Sequence, residues 1–431
     1  MKDKRAVITG FGLATPLGRG VNESWANLKD LRTGIRHVPR PGAPGCFQYL
    51  GRIENLVLPD PIPVNLSAQM KFLNRGALLG FAAAFEAVSQ AGVKLESIHP
   101  GRRALFIASG DFTKVGYESF YPAFEQSTGA DGKKVDRERL NRATLTEVNP
   151  FLLLESISNN LFSFLSAFYE LRGPNTSVAS LSPYGSQALE LACRAIEQER
   201  AGIAVVVGYC NWITDIPLYE LEGLGLLSKC QSGAASFRPF DRTRDGFIPG
   251  EGGAAVFLEA EDAAKRRGAK ALARICGSGN CIDFVPGSAL AVAPKVTEKS
   301  LRLALEEAGC EMEDLAFICG HGSATQKGDR SELMSMLDLA QREKASVPVC
   351  GLKSYSGHMG AASDLAEIIW AIKAVEEGFV PATLNFRSAE KEFDVLGLSG
   401  CHRPTSKGFL VSSSYGIGGQ SSAIVVSVSR G

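Results

Sequence analysis

Short apolar runs, most of them ending in or beside a glycine, recur along the chain. They cover residues 5–10, 104–110, 203–208 and 253–258, and then 315–320, 409–413 and 423–428. Each is apolar at nearly every position rather than at alternate ones, which predicts strands buried on both faces. Between them lie stretches with apolar residues at helical spacing, predicting helices over 68–91, 186–199, 300–308 and 365–375, the first ending before Gly92. Strands apolar throughout and separated by helices predict an α/β fold with sheets covered on both sides. Residues 110–150 mix charge, glycine and aromatics without a period, which predicts an inserted cap region.

At 431 residues the chain exceeds what one small core needs, predicting two lobes or one large duplicated domain. Element order suggests two halves, 1–258 and 259–431, although no sequence repeat establishes a duplication. Lys plus Arg and Asp plus Glu number 46 each, so no overall field draws the chain to nucleic acid or an anionic membrane. No run of about twenty apolar residues predicts a membrane span. Met1-Lys2-Asp3-Lys4-Arg5 leads directly into a strand, giving the expectation of a cytoplasmic chain complete from its first residues. The ten cysteines form no CxxC pairs; Cys193, Cys319 and Cys350 lie in apolar contexts, which predicts buried free thiols and a reducing compartment.

Ser182 lies in Gly173-Pro174-Asn175-Thr176-Ser177-Val178-Ala179-Ser180-Leu181-Ser182-Pro183-Tyr184-Gly185, where a buried-looking strand gives way to a helix. A nucleophile at such a turn gains from the N–H groups of the helix N-terminus, which stabilise negative charge on it and on an oxyanion. Pro183 suits the first helical turn and Gly185 permits close approach. The alternative role for Ser182 is a simple N-cap. Only five histidines occur, and two of them follow a glycine in a loop: His321 in Cys319-Gly320-His321-Gly322-Ser323-Ala324-Thr325, and His358 in Lys353-Ser354-Tyr355-Ser356-Gly357-His358. Rings projecting from loops at strand ends suit acid–base or electrostatic work better than core packing. Lys353 beside them could hold a carboxylate such as Glu332 and fix imidazole protonation states.

In order and local sequence the chain resembles the β-ketoacyl-ACP synthases, the condensing enzymes of fatty acid and polyketide synthesis. The resemblance runs from Val7-Ile8-Thr9-Gly10-Phe11-Gly12 and Thr15-Pro16-Leu17-Gly18 through Trp25, Gly34-Ile35 and Gly173-Pro174. It continues with Arg238-Pro239-Phe240-Asp241, Arg244-Asp245-Gly246-Phe247, Gly250-Glu251-Gly252, the two histidine motifs, Gly328-Asp329 and Ser414-Tyr415-Gly416-Ile417-Gly418-Gly419. It implies a thiolase-like fold in which two similar α/β halves form a layered α-β-α-β-α core. It further implies acyl transfer from the phosphopantetheine arm of acyl carrier protein to the nucleophile, then decarboxylation of malonyl-ACP and attack of the carbanion. Carried over residue by residue, Ser182 takes the nucleophile position and His321 and His358 stabilise the enolate. The N–H groups of Ser182 and Ile417 form the oxyanion hole. Ser323 and Thr325 offer hydroxyls to the pantetheine amides, and Tyr415 and Ile417 border the substrate. Lys353, Glu332 and Asp329 are support. No bound cofactor or metal is implied, and the implied partners are acyl carrier protein and a second subunit, the same chain or a related ketosynthase.

Four departures from the family pattern bear on function. Members usually read Ala-Cys-Ser/Thr-Ser-Gly at the nucleophile, where this chain reads Leu181-Ser182-Pro183-Tyr184-Gly185. A serine hydroxyl is a far weaker nucleophile than a thiol near neutral pH unless a base activates it. The second Phe of Gly-Phe-Gly-Phe-Gly-Gly is Ile417, the asparagine before it is Ser413 or Ser414, and Met359-Gly360-Ala361-Ala362-Ser363 follows His358. Three functions are therefore in contention: an acyl-transferring condensing enzyme, a non-condensing partner of the chain-length-factor type, and a malonyl-ACP decarboxylase.

Overall fold

The computed structural model describes residues 5–110, 117–129, 132–155, 159–179, 182–287 and 291–429. The uninterrupted apolar runs become strands because a side chain on either face of them meets a helix. The strands of the first half, the outermost β3 not being one of those runs, are β1 (Ala6–Thr15), β2 (Arg103–Ser109), β3 (Asn175–Ala179), β4 (Ile203–Asn211) and β5 (Glu251–Ala260), ordered β3-β2-β4-β5-β1 across the sheet. β3 and β4 run parallel to β2, whereas β5 is antiparallel to β4 and to β1. The second half supplies β6 (Ala273–Ile282), β7 (Leu315–Gly320), β8 (Val349–Gly351), β9 (Phe409–Tyr415) and β10 (Gln420–Ser427) in the order β8-β7-β9-β10-β6. Every neighbour relation of the first half recurs there in the same sense. The halves join where β1 and β6 pair antiparallel at Val7–Arg274 and Ile8–Ala273.

Five helices complete the layers: α1 (Arg75–Ala91), α2 (Tyr184–Glu197), α3 (Glu298–Ala308), α4 (Gln326–Glu343) and α5 (Ala361–Glu377). α2 and α5 form the middle layer. Leu189 and Ile196 of the one and Ile368, Trp370 and Ile372 of the other share a core with Phe106 on β2 and Phe317 on β7. α1 covers the outer face of the first sheet through Phe81 against Ile107, Val205 and Phe257. α3 and α4 cover the second through Leu301, Leu305 and Met336 against Ile318, Val411 and Val425. The result is the expected α-β-α-β-α arrangement.

Several expectations are corrected in detail. α1 begins at Arg75 rather than at 68, because Asn74 caps it by accepting from the Ala77 N–H at 2.8 Å. β3 is not a buried strand. It is the outermost of its sheet and its residues alternate between exposed and half-buried. β6, whose burial alternates along its length, and the three-residue β8 lack the continuous apolar signal and were not anticipated. The expected cap region contains two helices, Tyr117–Ser127 and Arg137–Glu147, with residues 111–116 and 130–131 outside the described residues. No disulfide joins any of the ten cysteines among the described residues, and no helix among the described residues is long and apolar enough to cross a membrane.

Candidate active site

The two middle-layer helices point their N-termini at one region, and the strand ends β7 and β9 bring the loops that follow them to the same place. There a cleft of about 470 Å³ is lined by Ser182, His321, His358, Ser323, Thr325, Tyr415 and Ile417. These residues lie far apart in the chain, and the strand order is what gathers them. Lys353, Glu332 and Asp329 sit behind the cleft, all fully buried.

Ser182 is buried, with 2% of its surface exposed, and among the described residues its hydroxyl has no hydrogen-bond partner. It is not the N-cap. Pro183 holds the cap position and α2 starts at Tyr184, so the expectation of Pro183 inside the first turn is also corrected. The preceding Ser180 and Leu181 lie outside the described residues. The backbone of Gly416 closes against the Ser182 carbonyl so tightly that a Cβ there would overlap it, which places the turn carrying Ile417 beside Ser182. The Ile417 side chain itself is exposed at the mouth of the cleft.

His321 and His358 stand with ring centroids 5.1 Å apart and nearly edge to face. His358 also packs against Trp212 and Phe247, at 4.8 and 4.9 Å. Its Nδ1 accepts from the Gly360 N–H at 3.1 Å, so its proton resides on Nε2. Burial holds both imidazoles well below the ordinary histidine range, with the Lys353 cation pushing the same way. Both rings are therefore neutral at pH 7.

The support residues are wired differently from the sequence expectation. Lys353 does not pair with Glu332. Its Nζ lies 3.0 and 2.9 Å from the two carboxylate oxygens of Glu367 on α5, a contact buried on both sides. Burial pushes Glu367 up and Lys353 draws it back. Glu332 instead accepts from the backbone N–H groups of His321 at 2.7 Å and Gly322 at 3.0 Å, so it shapes the first histidine loop directly. Its burial raises it to about 8. Asp329 accepts from the N–H groups of Phe240 at 2.7 Å and Ala324 at 2.9 Å, holding Ala324 at a left-handed φ of 59°. The Ser323 hydroxyl contacts Asp329, Thr325 and Tyr415 at 3.3, 2.9 and 3.1 Å. A pantetheine amide would have to compete for a hydroxyl that is already engaged.

Asp364 was missed. It sits on α5, completely buried, and accepts from the Gly185 N–H in the first turn of α2 at 3.0 Å. The same carboxylate accepts from the Ser414 hydroxyl at 2.7 Å, and Ser414 Oγ lies 3.3 Å from His321 Nδ1. Burial raises Asp364 to about 6. A signal existed: Ala361-Ala362-Ser363-Asp364-Leu365-Ala366-Glu367-Ile368-Ile369-Trp370 sets two acids among mostly apolar residues, and buried carboxylates need partners.

Comparison with known proteins agrees with this architecture. The family described as Beta-ketoacyl synthase, N-terminal domain, matches residues 3–264, and Beta-ketoacyl synthase, C-terminal domain, matches residues 272–387. The chain belongs to the β-ketoacyl synthase family. A tetracenomycin polyketide synthase ketoacyl synthase alpha subunit from Streptomyces glaucescens is 28% identical over 426 residues, covering 98% of this chain and 97% of that one. A 3-oxoacyl-[acyl-carrier-protein] synthase 2 from Staphylococcus aureus is 24% identical over 425 residues, covering 98% of each. The crystal structure of a β-ketoacyl synthase from Burkholderia phymatum superposes with a TM-score of 0.85 at 25% identity, covering 99% of this chain and 100% of that one. The fold is thus the thiolase-like ketosynthase fold, and the family is one of acyltransferases.

Proposed function

We propose that this ketosynthase-family protein acts on acyl and malonyl groups carried by the phosphopantetheine arm of acyl carrier protein, in fatty acid or polyketide synthesis, with Ser182 in the place of the family's cysteine. The observation that carries the reading is the pair of neutral, buried imidazoles beside Ser182 in one cleft. Decarboxylation of a malonyl thioester places negative charge on the thioester oxygen. A buried Nε2–H on His358 is a preorganised donor for that charge, and loss of one such donor lowers rates by about 10²–10³-fold. Acyl transfer to Ser182 would draw on the N–H groups of Ser182 and Ile417 for the oxyanion. Tyr415, Ile417, Ser323 and Thr325 would border the pantetheine and acyl chain. A division of the chain near 258–259 and a dimer, with itself or with a related ketosynthase, belong to the same proposal.

One observation favours a second reading. Asp364 occupies the first-turn N–H of α2, which takes from Ser182 part of the helix-terminus stabilisation that an attacking oxyanion would use. That favours decarboxylation without condensation, or a non-condensing chain-length-factor-type partner. Intact-protein mass spectrometry after incubation with acyl-ACP and malonyl-ACP separates these. Acyl mass lost in Ser182→Ala is the expected result. Carbon dioxide release with no acyl mass assigns decarboxylation alone. Silence in both, with copurification of a cysteine-bearing homologue, assigns the partner role.

A further inference from the structure

We propose that Asp364, acting through Ser414, fixes the proton of His321 on Nδ1, making His321 Nε2 the proton acceptor of the cleft while His358 is its hydrogen-bond donor. The inference rests on the reading that the cleft passes acyl groups to Ser182. A carboxylate accepts only, so the Ser414 hydroxyl gives its single proton to Asp364 Oδ1, 2.7 Å away. The Ser414 oxygen can then only accept from His321 Nδ1 at 3.3 Å, which requires Nδ1–H and leaves the lone pair on Nε2. His358 is the opposite tautomer, since its Nδ1 accepts from Gly360 N–H. The two imidazoles are therefore one base and one donor rather than two equivalent groups.

This relay supplies the base that a serine needs. When Ser182 attacks an acyl thioester, its oxygen bonds to the carbonyl carbon and the carbon–sulfur bond breaks. The hydroxyl proton passes to His321 Nε2 and on to the departing sulfur, leaving a serine ester and a free thiol. Asp364 and Ser414 are positioning residues in this scheme; His321, which lines the same cleft as Ser182, is the group that exchanges the proton. The charged and titratable groups facing Asp364 are Lys353, Glu367 and, across Ser414, His321. The Lys353 cation favours the ionised carboxylate that the relay requires.

The isosteric change Asp364→Asn makes a sharp prediction. Oδ2 of Asp364 receives the Gly185 N–H, so the amide oxygen must stay there and the amide NH2 must face Ser414. Ser414 then accepts from residue 364 and donates to His321 Nδ1, which moves the imidazole proton to Nε2. Correlation spectra of the side-chain nitrogens in full-length protein labelled with 15N-histidine, at pH 8, read this directly, with His321→Gln and His358→Gln for assignment. The expected result is Nδ1–H for His321 and Nε2–H for His358 in the unaltered protein, and Nε2–H for His321 in Asp364→Asn. An Nε2–H His321 in the unaltered protein, or an unchanged tautomer in Asp364→Asn, overturns the proposal. If Asp364→Asn does not fold, Ser414→Ala decides. Loss of the Nδ1–H preference supports the relay, and its retention sinks it. No substrate enters the measurement, so failure of the relay is distinct from failure of Ser182 to acylate.

Discussion

At the scale of the residue, the site is governed by where buried charge finds partners. Lys353 and Glu367 are both removed from water, and breaking such a pair by removing one member costs about 3–5 kcal/mol, because the remaining charge is left uncompensated. Lys353→Met should lower stability by about that amount in chemical denaturation, and Lys353→Met/Glu367→Leu should recover most of it. Because Lys353 pushes both imidazoles down, the double variant should also raise the titration points of His321 and His358 in NMR. A double variant with unmoved histidines would place their shift in burial and, for His321, in its neighbour His358. The sequence made Ser182, the two histidines and Lys353 legible, since glycine-flanked loop motifs are local. It misassigned the partner of Lys353, because Glu332 and Glu367 are equally plausible acids along the chain. Only packing decides that the one on α5 reaches the ammonium while the other turns to the His321 backbone.

At the scale of the element, close packing of helix on strand recurs in both halves. Gly10 and Gly12 on β1 face the Ala87 and Ala83 carbonyls of α1, and Gly277 and Gly279 on β6 face the Ala304 and Ser300 carbonyls of α3, each with no room for a Cβ. This paired Gly-x-Gly is a trace of the repeated architecture that the sequence reading passed over. Two glycines two apart are commonplace in a chain with 46 of them. Gly279→Ala must push α3 outward, with a cost of about 1–3 kcal/mol for overpacking, readable as a lowered denaturation midpoint. Asn74→Ala, which removes the α1 cap, should cost about 1 kcal/mol by the same measurement. The long, evenly apolar strands and helices were legible at this scale. β3, β6 and β8 were not fully so: the outermost β3 and the three-residue β8 are held by a neighbour's backbone rather than by an apolar pattern of their own, and β6, paired on both sides, alternates in burial instead of running apolar throughout.

At the scale of the whole molecule, two stacked sheets around a helical middle layer bury an unusual set of ionisable groups, and these tie stability to pH. Glu332 is raised from 4.5 to about 8 by burial. A folded-state value above the unfolded one means that the folded chain holds the extra proton, so its stabilising contribution is complete below about 4.5 and is lost as pH rises through about 8. The two histidines, held below 6.5 in the folded chain, act oppositely: their contribution is present above 6.5 and is lost as pH falls toward their folded values. The melting temperature should therefore fall as pH rises from about 6.5 to about 8.5, and Glu332→Gln should flatten that decline at lower overall stability. A melting temperature that climbs over this interval would contradict the assignment. By itself the sequence determined the α/β class, the family and the residues with chemical potential, because apolar periodicity and short motifs act over a few neighbouring positions. The tertiary structure alone decided which carboxylate meets which donor: Glu367 on Lys353, Glu332 on the His321 loop, and Asp364 between the first turn of α2 and Ser414. The physical reason is that a buried charge is settled by groups brought close across the core, and chain separation carries no record of that proximity.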